Sequence, residues 1–429
     1  MSSGNILTIN GGSSSIKLAL YKASDKPKPV LVLSGRIERI GQKDASFTIK
    51  HGQEQPGIAQ QTGATQQTGA TQQAGTTQQA ESTQAPGPDT IRADLSSFDA
   101  AARSLVDWLN TQSWFDEVKV IGHRVVHGMQ HTAPAPITSE LLNELTAIVS
   151  YDPDHLPAEI GIIKAIQEKY PQLQQVACFD TAFHTDIPPV AATLPIPKKY
   201  RDEGIRRYGF HGISYSYLLQ QLQTIDPKTA KGKVIFAHLG SGASLAAVKE
   251  GKCIDTSMGF TPVGGIIMST RTGDVDPGVI WYFMQQGMSV KDLNDLINKK
   301  SGLLAIAGME PDIRDLLEKE KDNADAALAI DMFCYQARKC IGAYIAALGG
   351  LDALVFSGGI GEHASVIRAR ICENLAYAGI HVDKELNDRH EQLISNNTSG
   401  IKVYIIPTDE EQMIAQQASA VYEKVVNHQ

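Results

Sequence analysis

Three short turns rich in glycine and serine each follow an apolar run: NGGSSS at 10–15, HLGSG at 238–242 and GGIGE at 358–362. Backbone N–H groups in such turns can converge on phosphate oxygens, because glycine permits positive φ and close approach. One such turn is ordinarily a plain connection. Three in one chain, each where a strand is expected to end, point to a nucleotide, although neither the dinucleotide fingerprint nor the Walker spacing is present. Arg124 in GHRVVHG and Arg271 in MSTRTGDVDPG offer guanidinium forks that suit a carboxylate or phosphoryl group. Either one taken singly reads as half of a structural ion pair. His123, His127, His184 and His211 fall in similar polar stretches, and each alone reads as an ordinary hydrogen-bonded histidine. Asp180 in CFDTAFH follows the apolar run 176–179, which places a carboxylate at a strand end. PTDEEQ at 407–412 offers Asp409, Glu410 and Glu411 either as oxygen ligands for Mg²⁺ or as the acidic first turn of a helix.

Such groups need elements to hold them. The run 6–10, the turn 11–15 and the alternation of Ile16, Leu18 and Leu20 with Lys17, Ala19 and Tyr21 read as strand, tight turn, strand. The same grammar returns at 234–249, as though the chain were duplicated. Ser289 is placed to cap a helix carrying Leu293, Leu296 and Ile297. A longer helix presents Phe333, Ala337, Cys340, Ile341, Tyr344 and Leu348 and is expected to stop at Gly349 and Gly350. The run 353–356 reads as a buried strand leading through SGGIGEH into a helix with Val366 and Ile367 facing inward. Strands and helices mixed in two similar halves indicate an α/β protein.

A chain of 429 residues exceeds what one core usually holds, so two domains with a cleft are expected. The formal net charge of -8 offers no basic field for nucleic acid or an anionic membrane surface. Five widely spaced cysteines without a C-x-x-C pair read as free thiols in a reducing compartment. With no secretion-type start and no apolar run of membrane-spanning length, an intracellular protein is expected. A Gln-, Thr- and Gly-rich tract at about 53–90 repeats TQQTGA and lacks the apolar residues that would offset its ordering entropy. It reads as a disordered insertion without chemistry.

In order along the chain, INGGSSSIK, GHRVVHG, FDTAFH, RRYGFHGISY, AHLGSGAS, TSMGFTPVGG, TRTGDVDPG, FSGGIGEH and PTDEE strongly resemble the acetate kinase family, nearly end to end apart from the glutamine-rich tract. The resemblance implies two similar, duplicated actin-like (ribonuclease H-like) domains with the active site in the cleft between them. It places an N-terminal domain at 1–183, joined by a C-terminal helix at about 408–429, and a nucleotide-binding domain at 184–407. It implies acetate, acetyl phosphate and ATP/ADP as reactants, Mg²⁺ or alternatively Mn²⁺ as cofactor, a homodimer and a cytoplasmic location. Asn10 and Glu410 then match the metal site, Lys17 a nucleotide contact, and Arg124 the carboxylate clamp, with Val126, Phe210 and Pro262 around the acid's methyl group. His238, Leu239, Gly240, Ser241 and Gly242 match one ATP segment. Asp312, Ile313 and Arg314 match a second, and Gly359, Ile360, Gly361, Glu362 and His363 a third. Asp180, His211 and Arg271 match catalytic positions.

The chain departs from the family pattern at several places. Asp154 and Leu156 flank His155 where leucine and asparagine are commoner, which puts Asp154 in the expected methyl pocket and raises the question of acid size. Ser241, His363 and Asp409 each stand where asparagine is usual, with polar capacity kept. Three rival readings differ in what they require. A propionate kinase needs only a wider pocket, a sugar kinase needs a polar one, and an actin-like scaffold without transfer activity needs the acid-binding arginines to be absent or blocked.

Overall fold

The computed structural model describes residues 4–12, 14–23, 28–52 and 89–427. The repeated tract up to residue 88 lies outside them, whereas its expected last two residues, Asp89–Thr90, form a short strand. The first sheet comprises β1 (Asn5–Gly11), β2 (Ile16–Lys22), β3 (Val30–Glu38), β4 (Ser46–His51), β5 (Asp89–Thr90), β6 (Val118–Val125), β7 (Ala135–Pro136) and β8 (Gln174–Phe179), in the order β5-β4-β3-β2-β1-β6-β8-β7. The second comprises β9 (Lys233–Leu239), β10 (Ala243–Lys249), β11 (Lys252–Thr256), β12 (Ala353–Ser357) and β13 (Lys402–Ile405), in the order β11-β10-β9-β12-β13. The core β3-β2-β1-β6-β8 repeats that second order. In both, the first two pairings are antiparallel and the last two parallel. The duplication suggested by the two hairpins is therefore a duplication of whole sheets, the α/β, actin-like arrangement.

Parallel central strands must be covered on both faces. β1 is buried at every position: Leu7 and Ile9 pack with Leu105 and Leu109 of the helix Phe98–Asn110 and with Ile162 and Ile166 of the helix Leu156–Lys169. Ile6 faces the other way, with Val120, Cys178 and Met413, Ile414 and Ala418 of the last helix, Glu410–Asn427. Gly122 marks where that helix sits on β6, because a Cβ there would lie 2.6 Å from Ile414 Cγ2. In the second sheet, Ile235, Leu354 and Phe356 pack against Phe333, Ala337 and Ile341 of the long helix Ala324–Leu348, which ends at Gly349 with φ 67° as its sequence implies. The opposite face, with Phe236 and Val355, is covered by Tyr215, Leu218 and Leu222 of the helix Gly212–Ile225. That helix also lends Ile213 to the first sheet's packing and so bridges the two halves.

Ser289 caps the helix Val290–Lys299 by accepting from Asp292 N–H at 3.1 Å. One expectation fails locally: Ile367 is buried, but Val366 is 43% exposed. Adjacent helical positions lie about 100° apart and cannot share one narrow face. In the same helix, Arg368 is fully buried and donates to the carbonyls of Gly361 and Glu362, both at 2.9 Å, and to Asn387 Oδ1 at 2.8 Å. This guanidinium fastens the helix Gly358–His363 from beneath. Arg368→Ala would strand these acceptors in the core and is expected to destabilise folding by about 3–5 kcal/mol, measured by urea denaturation.

Candidate active site

A cavity of about 520 Å³ opens where the strands of both sheets end, lined by Arg124, Val126, His155, Asp180, Phe210, His211, Ser241, Gly242, Pro262, Ser269, Thr270, Arg271, Glu310, Pro311 and Asp312. Arg124 sits at the end of β6, Asp180 directly follows β8, and Ser241 and Gly242 form the turn between β9 and β10. Strands that run parallel in one sheet deliver their C-terminal side chains to one edge. That is why residues 56 positions apart, Arg124 and Asp180, meet here.

Their contact is close and two-pronged: Arg124 Nη2 and Nε donate to Asp180 Oδ2 at 2.6 Å and 3.1 Å. Arg124 Nη1 reaches Asn10 Oδ1 at 3.4 Å, and the Asn10 amide N–H donates to Glu410 Oε2 and Glu411 Oε1, both at 3.4 Å. Burial pushes the Asp180 carboxyl upward, with Arg124 opposing it. Burial also works to raise Glu410, but Arg124, His238 and Lys17 together hold its carboxyl below the ordinary range. Asp180 Oδ1 is buried without a partner. The set therefore presents hard oxygens from Asn10, Asp180 and Glu410 around one guanidinium.

His211 ends the loop before the helix Gly212–Ile225 and takes a left-handed conformation, φ 59°. Gly212 N–H donates to Asp180 O at 2.9 Å, and a Cβ on Gly212 would lie 2.0 Å from that oxygen. The close approach pins His211 beside Asp180. His211 Nδ1 lies 2.9 Å from Ser244 Oγ, and its ring stacks on His238 at 4.4 Å. Burial, followed by the nearby His238, Arg124 and Arg271, holds the His211 pKa well below that of free imidazole. Arg271 Nη1 donates to Pro262 O at 3.2 Å, and Nη2 faces His155 Nε2 at 3.3 Å.

One sequence-derived candidate, Asp154, lies elsewhere than expected, and the others make the following contacts. Asp154 does not line the cavity; it pairs with Lys299 at 2.8 Å. Asp409 caps the last helix, accepting from Gln412 N–H at 2.8 Å, so of the acidic triplet Glu410 and Glu411 face Asn10 and Asp409 serves the helix start. Lys17 on β2 lies 3.8 Å from Glu411. Glu362 Oε1 accepts from Gly358 N–H at 2.9 Å and Thr408 N–H at 3.2 Å, which ties its own loop to the last helix. Leu239 and Ile313 are core residues and Ile360 is buried, so only their backbones can face a ligand. The His363 side chain is exposed, and Arg314 reaches back to Asp312 at 2.6 Å. Gly240 and Gly359 adjoin, since a Cβ on Gly240 would lie 3.9 Å from Gly359 N, so the turn after β9 and the helix after β12 form one surface with Gly361 behind it.

Two buried acids at the site were not singled out from sequence. Glu159, on the apolar face of the helix Leu156–Lys169, accepts from Val126 N–H at 3.1 Å, and burial raises its pKa well above the usual range against the pull of Arg124. A carboxylate in register with Leu156, Ile160, Ile163 and Ile166 was the available signal. Asp152 gave none, because an acid in a turn ordinarily faces water.

Residues 72–416 match the model of the acetokinase family. Acetate kinase of Rhodopseudomonas palustris is 38% identical over 416 residues, covering 96% of each chain, and that of Clostridium botulinum is 38% identical over 426, covering 97% of this chain and 99% of the relative. Among solved structures, a propionate kinase from Francisella tularensis superposes with a TM-score of 0.83 at 34% identity, covering 97% of this chain and all of that one. Porphyromonas gingivalis acetate kinase superposes at 0.80 with 32% identity, covering 97% and 99%. With the two repeated sheets and the cleft between them already in view, the chain belongs to the acetokinase family.

Proposed function

We propose that this protein is an acetate kinase, moving the γ-phosphoryl group of ATP to the carboxylate of acetate to give acetyl phosphate and ADP, and catalysing the reverse. The observation that carries this reading is that Arg124 and Arg271 face one cavity with Val126, Phe210 and Pro262 in its wall. Two guanidinium forks suit a carboxylate and a phosphoryl group, and the apolar wall suits a methyl group rather than a sugar. A carboxylate is already ionised at neutral pH and attacks phosphorus without a strong base, so catalysis reduces to positioning and charge stabilisation. An acid oxygen forms the new bond to Pγ while the bond to the bridging oxygen breaks and ADP leaves with the electron pair.

In this reading Arg124, held by Asp180 and Asn10, offers its remaining N–H groups to the acid, and Arg271 meets the migrating phosphoryl. With the Ser244 hydroxyl donating to His211 Nδ1, the neutral ring carries its proton on Nε2 and donates to an equatorial phosphoryl oxygen. Asp180 orients the acid or the ion's water shell rather than acting as base. The turn 238–242, Asp312 to Arg314 and the segment 359–363 cradle the nucleotide through backbone N–H groups, with Lys17 at its phosphates. Among the described residues no cluster of three His, Cys, Asp or Glu could hold a metal by itself. Mg²⁺ or Mn²⁺, which kinases bind through one or two carboxylates with phosphates and water, would be held by Asn10 and Glu410, with the unpartnered Asp180 Oδ1 in the same cluster. When bound, the ion neutralises the β- and γ-phosphate charge.

The alternative acceptor is propionate, favoured by the likeness to the Francisella structure. With Asp154 turned to Lys299, the choice rests on Val126, Phe210 and Pro262, where one methylene is worth about 1–3 kcal/mol. A homodimer is supported by the helix Pro277–Gln285, which buries none of its residues and exposes Trp281 at 64% and Tyr282 at 59%. A cytoplasmic location accords with five free cysteines.

The test is purified protein with Mg²⁺ and ATP, assayed on acetate, propionate, butyrate and glucose with acyl phosphate trapped as hydroxamate. Product with acetate is expected, and no product with any acid despite ATP binding would reject the reading. Arg124→Ala should lower kcat/KM for the acid by roughly 10²–10³-fold while leaving the KM for ATP little changed. Because the His211 pKa lies well below 6.5, the ring stays neutral as pH falls from 8 to 6, and kcat should be flat across that span; a fall centred near 6.5 would show that His211 titrates as a free imidazole. Trp281→Glu should convert the dimer to monomers in light scattering.

A further inference from the structure

Asp152 and His155, the second of them in the cavity wall, have no part in the transfer steps above. Asp152 follows the short turn Val149–Tyr151 and is only 4% exposed, yet it is ion-paired with no lysine or arginine among the described residues. Its Oδ1 lies 2.8 Å from His155 Nδ1, and its Oδ2 is buried without a hydrogen-bond partner. On the other side of the same ring, His155 Nε2 lies 3.3 Å from Arg271 Nη2. The backbone reinforces this: His155 N–H donates to Asp152 O at 3.4 Å, and Leu156 N–H donates to the same oxygen at 3.1 Å. Carboxylate, imidazole and guanidinium thus form a line that ends in the cavity.

Hydrogen-bond rules determine where the ring proton sits. A guanidinium has donors only, so the Nε2 that faces it must offer a lone pair. A carboxylate is an acceptor, so the hydrogen belongs on Nδ1. The opposite tautomer would set an N–H against the guanidinium, donor against donor, and push the cation off its place.

We infer that Asp152 and His155 are positioning residues for the reaction: Asp152 selects the Nδ1–H tautomer of His155, and His155 Nε2 then fixes one end of the Arg271 guanidinium while Pro262 O fixes the other. Both anchored ends leave the remaining N–H groups of Arg271 for the cavity that it lines. The charges agree. Burial lowers the Arg271 pKa, and Asp152 is the largest influence acting against it, ahead of Asp154, whose charge is shared with Lys299. Charge and contacts thus point the same way along the ring.

What Arg271 does for the reaction rests on the kinase reading, but the line of contacts does not, so two measurements separate them. The first is ¹⁵N NMR of histidine-labelled protein, with His155 assigned from a His155→Ala sample. The wild type is expected to show a protonated Nδ1 and a bare Nε2, and Asp152→Ala to shift the ring toward the opposite tautomer. A protonated Nε2 in the wild type would overturn the inference whether or not the protein is a kinase. The second is the hydroxamate assay on variants. Asp152→Ala should reduce kcat on the order of 10- to 100-fold with the KM for ATP little changed, as expected for a misplaced catalytic group. Asp152→Asn, which keeps an acceptor oxygen, should recover most of it. In a His155→Ala background, Asp152→Ala should cause no further loss; independent, multiplying losses would reject action through His155. Wild-type protein that makes no acyl phosphate would reject the kinase reading and leave the ring tautomer to decide the inference.

Discussion

The contact on which the site depends is the buried pair of Arg124 and Asp180. Removing two charges from water costs several kcal/mol per ion even after relaxation, and the attraction repays it only when geometry and further hydrogen bonds are good. Here the geometry comes from the sheet. β6 and β8 are neighbouring parallel strands, so their last side chains emerge together, and Asp180 N–H is itself anchored on Val125 O at 3.0 Å. Asn10, at the end of the adjoining β1, takes the other side of the guanidinium. A pair so held keeps an arginine in place and leaves it donors for a ligand.

The second half is joined to that pair through one helix. Gly212–Ile225 packs its apolar face on the second sheet, sends Ile213 into the first, and begins against the backbone of Asp180. Its first turn admits no side chain at residue 212, and His211 must adopt positive φ to enter it. A histidine in that conformation carries local strain, which persists only where the surroundings over-determine it. Those surroundings are Ser244 at its Nδ1 and His238 stacked on its ring, both from the second sheet. Groups from both halves thus fix one histidine in the cleft.

Electrostatics complete the arrangement. Burial, and after it His238, Arg124 and Arg271, depress the protonation of His211, while Arg124 is paired with the buried Asp180 and Arg271 is held through His155 by Asp152. Arg124 and Arg271 are thus held from behind rather than across the cavity.

Local pattern alone determined much of this protein. Apolar runs joined by glycine turns located β1, β2, β9 and β10, the asymmetry of helix ends placed Ser289 and Gly349, and nine ordered motifs named the family, because each is a property of a few adjacent residues. The same reading placed Val366 indoors, where an angular step of one residue turned it out. It set Asp154 in the pocket, where Lys299, distant in sequence, drew it away. It passed over Asp152 and Glu159, whose importance lies in burial, and burial depends on what the rest of the chain lays over a turn. Tertiary structure decided which acid meets which arginine, which of three adjacent carboxylates caps a helix, and which ring nitrogen faces a cation. Those choices follow from distances between segments that sequence spacing does not encode.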